Sequence, residues 1–289
     1  MPTLRDIKRR IGSVKSTQQI TKAMKMVASV KLRRAQERML RARPYAHSLD
    51  EMLGHVAAKI DRSLHPLLAE REPKSICYVV ITGDRGLAGS FNSNITRRAK
   101  SEIDAQAAAG QPVSAIAVGR KGYEFLHRRG YRLLEKYINF FNELDFHHAQ
   151  DIGELIKSKF IGEELDRIYL VYNEFKSAIQ QRIVVQQLLP IVPRPPREEK
   201  YYIDFLLEPS PHAILDTLCP KYLNIEIWQA LLESYAAEMG ARTAAMDAAT
   251  ENAQEMIYQL TLNYNKARQA AITKELSEIV GGAEALSKA

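Results

Sequence analysis

Gly83-Asp84-Arg85-Gly86-Leu87-Ala88-Gly89 sets three glycines between a β-branched run and a helical pattern. In that setting glycine lets the backbone, and a helix N-terminus, close on a phosphate. The spacing is GxxGxxG, which matches neither the dinucleotide fingerprint nor a P-loop. No Lys-Ser/Thr pair follows it, and no clear acid closes the next strand to hold a ribose. These gaps favour a structural turn over a nucleotide site. His147-His148 offers two imidazoles, but neighbours on a helix or strand do not point at one ion. With no Cys or acidic partner at a supporting spacing, the pair reads as surface. Glu275 and Glu278 stand three apart, the spacing of a solvated helix face, with no pocket around them for paired-acid hydrolysis. Cys77 and Cys219 are the only cysteines. Lacking CxxC or metal-ligand spacing, they read as reduced, packed thiols of a reducing compartment. No cofactor, metal or catalytic group is expected.

Charge is the stronger signal. The net +7 is a poor average: residues 1–43 hold 13 Lys/Arg against Asp6 and Glu37, which leaves the rest of the chain acidic. A belt of one sign calls for an acidic partner, whether nucleic acid, anionic lipid or an acidic protein surface. The cations share a helix with an apolar seam, and no aromatic for base stacking precedes Tyr45. Both features favour carboxylates on a protein over nucleic acid. Two other readings stay open. A nucleotide-using α/β enzyme with helical arms would bind ATP or NAD at Gly83–Gly89. A coiled-coil nucleic-acid-binding protein would hold DNA through residues 1–43.

The elements that carry these residues fall into three segments, 1–60, 72–207 and 212–289. Thr3 to Arg43 contains no proline and one glycine, Gly12. Its apolar positions run Leu4, Ile7, Ile11, Val14, then break phase and re-form as Ile20, Met24, Val27 and as Leu32, Ala35, Met39. That is a narrow seam, though not a strict heptad. Pro44 is expected to kink the helix, and the pattern fades between Gly54 and Ile60. From Lys221 onward 69 residues lack proline, enough helix for about 100 Å. Leu231, Tyr235, Met239, Arg242, Met246, Ala249, Ala253, Met256 and Leu260 form its seam, and Ile272, Leu276 and Ile279 continue it on a shifted phase. Arg242 stands where an apolar residue belongs, the mark of a register-setting or partner-binding charge.

The middle segment has a different grain. Strand-like runs at Ser75–Thr82, Val113–Val118 and Arg167–Tyr172 alternate with helical patterns near 92–109, 121–129 and 149–165. Alternation of this kind argues for a parallel-type α/β sheet. Arg182–Leu189 follows through a short turn and suggests an antiparallel edge. Seven of the twelve prolines lie between Pro190 and Pro220 and read as a linker. No run is long and apolar enough to span a bilayer. Met1-Pro2-Thr3 leads straight into periodic sequence, so no leader peptide is expected. The simplest architecture pairs the terminal helices antiparallel.

Three blocks resemble the gamma subunit family of the F-type ATP synthase: Ile20–Val27 (ITKAMKMV) with the basic run after it, Thr82–Asn92 (TGDRGLAGSFN), and Tyr264–Ala285 (YNKARQAAITKELSEIVGGAEA). They stand in the family's order and bracket nearly the whole chain. The resemblance implies a long antiparallel coiled coil of both termini plus a central Rossmann-like α/β domain. It implies a non-catalytic rotor within a ring of three alpha and three beta subunits, standing on the c-ring beside the epsilon subunit. Membrane contact would come only through the c-ring, with no nucleic acid bound. Family contacts to the beta catch loops would map onto Arg242, Arg268, Gln269, Thr273 and Glu275. Met24, Lys25 and Arg85 would face acidic lever loops of beta. Ala88 stands where many relatives have cysteine. The redox-regulatory insertion of chloroplast relatives is missing. This points to a bacterial enzyme, peripheral on the cytoplasmic face of the plasma membrane.

Overall fold

A computed structural model describes residues 3–58, 65–178, 180–193, 208 and 210–287. In chain order the elements are α1 (Leu4–Ala58), β1 (Ile76–Ile81), α2 (Phe91–Ala108), β2 (Val113–Val118), α3 (Arg120–Arg128), β3 (Leu133–Tyr137), α4 (Phe146–Ile161), β4 (Arg167–Phe175), β5 (Gln181–Leu189) and α5 (Pro211–Ser287). By its contacts the chain divides into two units, Met1–Val27 with Thr243–Ala289, and Ala28–Arg242.

The larger unit is built on a five-stranded sheet ordered β3-β2-β1-β4-β5. β1 pairs in parallel with β2 and with β4, β3 adds a parallel edge, and β5 closes the other edge antiparallel. All six β1 residues are buried, as expected of a parallel strand covered on both faces. On one face Ile95, Ala99, Ile103 and Leu126 of α2 and α3 pack on Tyr78, Val80, Ala115 and Ala117. On the other, α4 and both terminal helices pack on Val79, Ile81 and Ile116 through Ile152, Ile156, Phe160 and Leu231. Two glycines permit this second layer. A Cβ on Gly153 of α4 would sit 2.0 Å from Asn224 Oδ1, and one on Gly240 would sit 3.1 Å from Ala178 Cα.

Both terminal helices are antiparallel partners. In the larger unit Arg43 of α1 pairs with Glu233 of α5 at 3.0 Å, and Tyr222 donates to Asp50 at 3.4 Å. In the smaller unit Lys25 pairs with Asp247, and the Thr21 and Thr250 hydroxyls share a hydrogen bond of 2.8 Å. There a groove is lined by Asp6, Ile7 and Ser13 of α1 and by Leu260, Asn263 and Ala267 of α5. The N-terminus of α1 is capped reciprocally. Thr3 Oγ1 accepts from the Asp6 N–H at 3.2 Å, and Asp6 Oδ2 accepts from the Thr3 N–H at 3.3 Å.

The seam corrects the reading of Ile20–Val27. The inward positions of α1 include Ile7, Thr21, Ala28, Leu32, Ala35, Met39, Ala46, Leu49, Leu53 and Val56. With half-buried Val14 and Ala42 filling the gaps, Ile7, Thr21, Ala28, Ala35, Leu49 and Val56 keep a seven-residue repeat, and Leu32, Met39, Ala46 and Leu53 keep a second. This is the period that winds helices left-handed. Ile20 is 60% exposed and Val27 58%, while Thr21 and Ala28 beside them are buried. Small side chains let the helices approach there, and the Thr21–Thr250 hydrogen bond satisfies the hydroxyls. Hydrophobicity was therefore a poor guide to the inward side. On α5, likewise, Met256 is exposed, as are Ile272, Leu276 and Ile279. Pro44 sits inside α1, which continues through it. Pro211 opens α5 and Pro220 lies within it, so the proline-rich stretch reaches into the helix; residues 194–207 and 209 of that stretch lie outside the described residues, as does Ile60. The strand β3, Leu-Leu-Glu-Lys-Tyr, was not expected. It is a half-exposed edge, and its two acidic and basic residues break the apolar run by which buried strands are recognised.

Candidate functional site

The glycine-rich loop lies at the carboxyl end of β1 and is held by the protein itself. Gly83 N–H donates to Asn92 Oδ1 at 2.9 Å, and the Asn92 amide donates to the Arg85 carbonyl at 3.2 Å. Gly83 O accepts from the Lys121 N–H at 3.1 Å, and Asp84 Oδ1 accepts from the N–H groups of Arg120 and Asn139, both at 2.9 Å. Leu87 and Gly89 take φ of +60° and +55°, left-handed geometry that glycine tolerates and leucine enters only under constraint.

Why Gly83 must be glycine is clear from α5. A Cβ there would lie 2.8 Å from the Cδ and Oε1 of Glu238, whose carboxylate presses against the loop backbone. Arg242 answers it: Nη2 donates to Glu238 Oε1 at 2.5 Å and to the Gly86 carbonyl at 3.1 Å. Burial pushes the Glu238 carboxyl up, opposed by the guanidinium of Arg242. A buried acid occupies the place where a phosphate cradle needs positive potential, so the loop is a structural turn. Its outer side presents Arg85 and Leu87 to solvent.

Sequence reasoning singled out Arg242 but missed both acids that organise this part of α5. Glu238 holds Arg242. Glu233 accepts from the Phe175 N–H at 2.9 Å as well as from Arg43. A detectable signal existed: two carboxylates inside the apolar window Ile227–Ala241 must be paired to be buried.

Of the basic belt, part is committed to the chain. Lys31 donates to Asn142 Oδ1, Arg38 donates to the Leu144 carbonyl and covers the Trp228 ring, and Arg33 pairs with Glu37. Arg5, Lys8, Arg10, Lys15 and Lys22 are exposed. Met24 and Lys25 are half-buried on α1, Lys25 on its bond to Asp247. Arg268, Gln269, Thr273 and Glu275 are exposed on α5, beyond Ala267, the last α5 residue in the groove with α1. The structure thus brings Arg242 of α5 against the loop that carries Arg85, and gathers Arg268 to Glu275 on one helical stretch.

The remaining candidates are structural. Asp145 caps α4 by accepting from the His147 N–H, and His148 closes the reciprocal half of the capping box. Cys77 and Cys219 are buried and free, and burial pushes each thiol up to about 12. Among the described residues no His/Cys/Asp/Glu group is arranged to hold a metal, and no helix is long and apolar enough to cross a membrane.

In the larger unit a doubly covered sheet packs against antiparallel stretches of both terminal helices, and in the smaller unit the same two helices pair again and carry exposed charged side chains. A family profile described as ATP synthase matches residues 3–286, and the chain belongs to that family. Within it the likeness is to gamma chains. The ATP synthase gamma chain of Chlorobaculum parvum is 52% identical, with all of both chains covered. The central stalk and c-ring structure of the Tetrahymena thermophila mitochondrial ATP synthase contains a chain 29% identical to this one. Their match has a TM-score of 0.60 and covers 80% of this chain and 99% of that one. A chain of the Euglena gracilis mitochondrial ATP synthase, 21% identical, shares the fold at a TM-score of 0.70, over 98% of this chain and 94% of that one.

Proposed function

We propose that the chain is the central-stalk rotor subunit of a proton-translocating F-type ATP synthase, coupling c-ring rotation to conformational change in a hexamer of three alpha and three beta subunits. It does no bond chemistry itself. The observation that carries this is the antiparallel pairing of the two chain ends, joined to a full-length likeness to gamma chains.

The physics of the role is simple. One asymmetric shaft inside a three-fold ring meets three identical subunits with three different faces. It shifts each subunit's open–closed equilibrium only by its difference in contact energy, and a tenfold bias needs about 1.4 kcal/mol. A few charge-assisted contacts, partly shielded from water, supply energy of that order. Turning the shaft carries every catalytic subunit through the same three biases. ATP hydrolysis, run the other way, turns the shaft.

Arg242, Arg268, Gln269, Thr273 and Glu275 are read as contacts to the beta catch loops, and Met24, Lys25 and Arg85 as contacts to acidic lever loops of beta. Exposure of Arg268 to Glu275 and of Arg85 supports this. Arg242 would have to serve its partner while also bound to Glu238. The central domain would stand on the c-ring beside epsilon, and the complex on the cytoplasmic face of a bacterial plasma membrane. The division into 1–60, 72–207 and 212–289 belongs to the same reading.

The test is reconstitution of the alpha–beta hexamer with and without this chain. ATP hydrolysis should drive rotation of a bead attached to the chain, and replacing Arg268 and Gln269 together by alanine should lower the torque. A chain that neither co-purifies with the hexamer nor rotates refutes the proposal.

A further inference from the structure

Resting on the reading of Arg85 as a contact to beta, we infer that Glu238 is a positioning residue, which with Arg242 clamps the glycine-rich loop to α5 and so sets where Arg85 and Leu87 are presented. Four observations converge on it. Glu238 is buried on α5 beside the buried apolar residues Ala236, Ala237 and Met239. Its carboxylate lies where only a glycine at position 83 leaves room. Arg242, which donates to it through Nη2, uses the same nitrogen to donate to the Gly86 carbonyl across the loop. The loop itself contains a leucine at φ +60°, a conformation held by its surroundings.

The clamp differs from the Glu233–Arg43 pair nearby. Glu233 joins a helix to a strand end and to a neighbouring helix, all rigid elements. Glu238 joins a helix to a loop whose outward residues are exposed. Removing the first loosens a core. Removing the second leaves the sheet intact and frees the loop to move. Arg242, held by the buried acid, is presented as a fixed fork and not as a mobile surface cation.

The experiment uses the assembled synthase in vesicles carrying Glu238→Gln, Arg242→Met, or both. The double variant matters because it leaves no buried unpaired charge. Two readouts are taken: hydrogen exchange at the Gly83 amide, held by Asn92 Oδ1, and at the Arg120 and Lys121 amides, held by Asp84 and Gly83 of the loop, and protons pumped per ATP hydrolysed. The double variant should exchange at least about tenfold faster at these amides, which corresponds to about 1.4 kcal/mol of lost local stability, and pump less than half as many protons per ATP. A purely structural ion pair would be rescued by the double replacement, so wild-type exchange there overturns the inference. Faster exchange with unchanged pumping, in this variant and in Arg85→Glu alike, would keep the clamp and sink the assignment of Arg85 to a partner contact.

Discussion

Replacing Glu233 by alanine should be among the most damaging single changes in the larger unit. Its side chain is 4% exposed, whereas that of Arg43, its partner, is 45% exposed. The asymmetry decides the magnitude. Arg43 recovers water when its partner goes, and a half-exposed ion pair contributes only about 0–1 kcal/mol. The Phe175 N–H, in contrast, loses its acceptor at 2.9 Å in a buried place, which costs about 1–3 kcal/mol. Loss of the one methylene that alanine lacks adds about 0.8 kcal/mol. The expected total is about 3 kcal/mol, or a fall of about 6–12 °C in Tm for a unit of this size. Glu233→Gln, which keeps an acceptor for Phe175, should cost less than half as much. Arg43→Ala should cost more than an ordinary surface change, because it strands a buried carboxylate with one hydrogen bond. Thermal and urea unfolding of the full chain measure these values, with hydrogen exchange at the Phe175 amide as the local readout. A Glu233→Ala chain within about 1 kcal/mol of wild type, with its Phe175 amide still protected, would refute the reasoning.

Three further outcomes are expected. Gly153→Ala should destabilise by about 2 kcal/mol or more by overpacking, because its new carbon collides with Asn224; Gly86→Ala, facing open space, should stay within about 0.5 kcal/mol in the same unfolding assay. Thr21→Val should lose about 1 kcal/mol with the hydrogen bond to Thr250, while Ile20→Ser, on the outward side, should leave the unfolding midpoint unchanged; the reverse ranking would mean the seam is misplaced. Both thiols, raised to about 12 by burial, should resist alkylation by iodoacetamide at pH 8 in the folded chain and react fully in urea, as read by mass spectrometry.

The two terminal helices, the alternation of strands with helices and the antiparallel last strand could all be read from residue order, because each rests on local periodicity and punctuation. Proline-free stretches, β-branched runs and glycine-rich turns act over a few residues, and a single chain displays them directly. Family blocks such as Thr82–Asn92 and Tyr264–Ala285 carried the function in the same way. Folding decided what depends on distant partners. The inward side of α1 runs through Thr21 and Ala28, not Ile20 and Val27, because helix approach and a cross-helix hydrogen bond outweigh side-chain hydrophobicity there. β3 became a strand because β2 offered it an edge. Gly83 is a glycine because Glu238, far along the chain, needs the space a side chain would fill, and no spacing within the loop could announce a neighbour that only packing supplies.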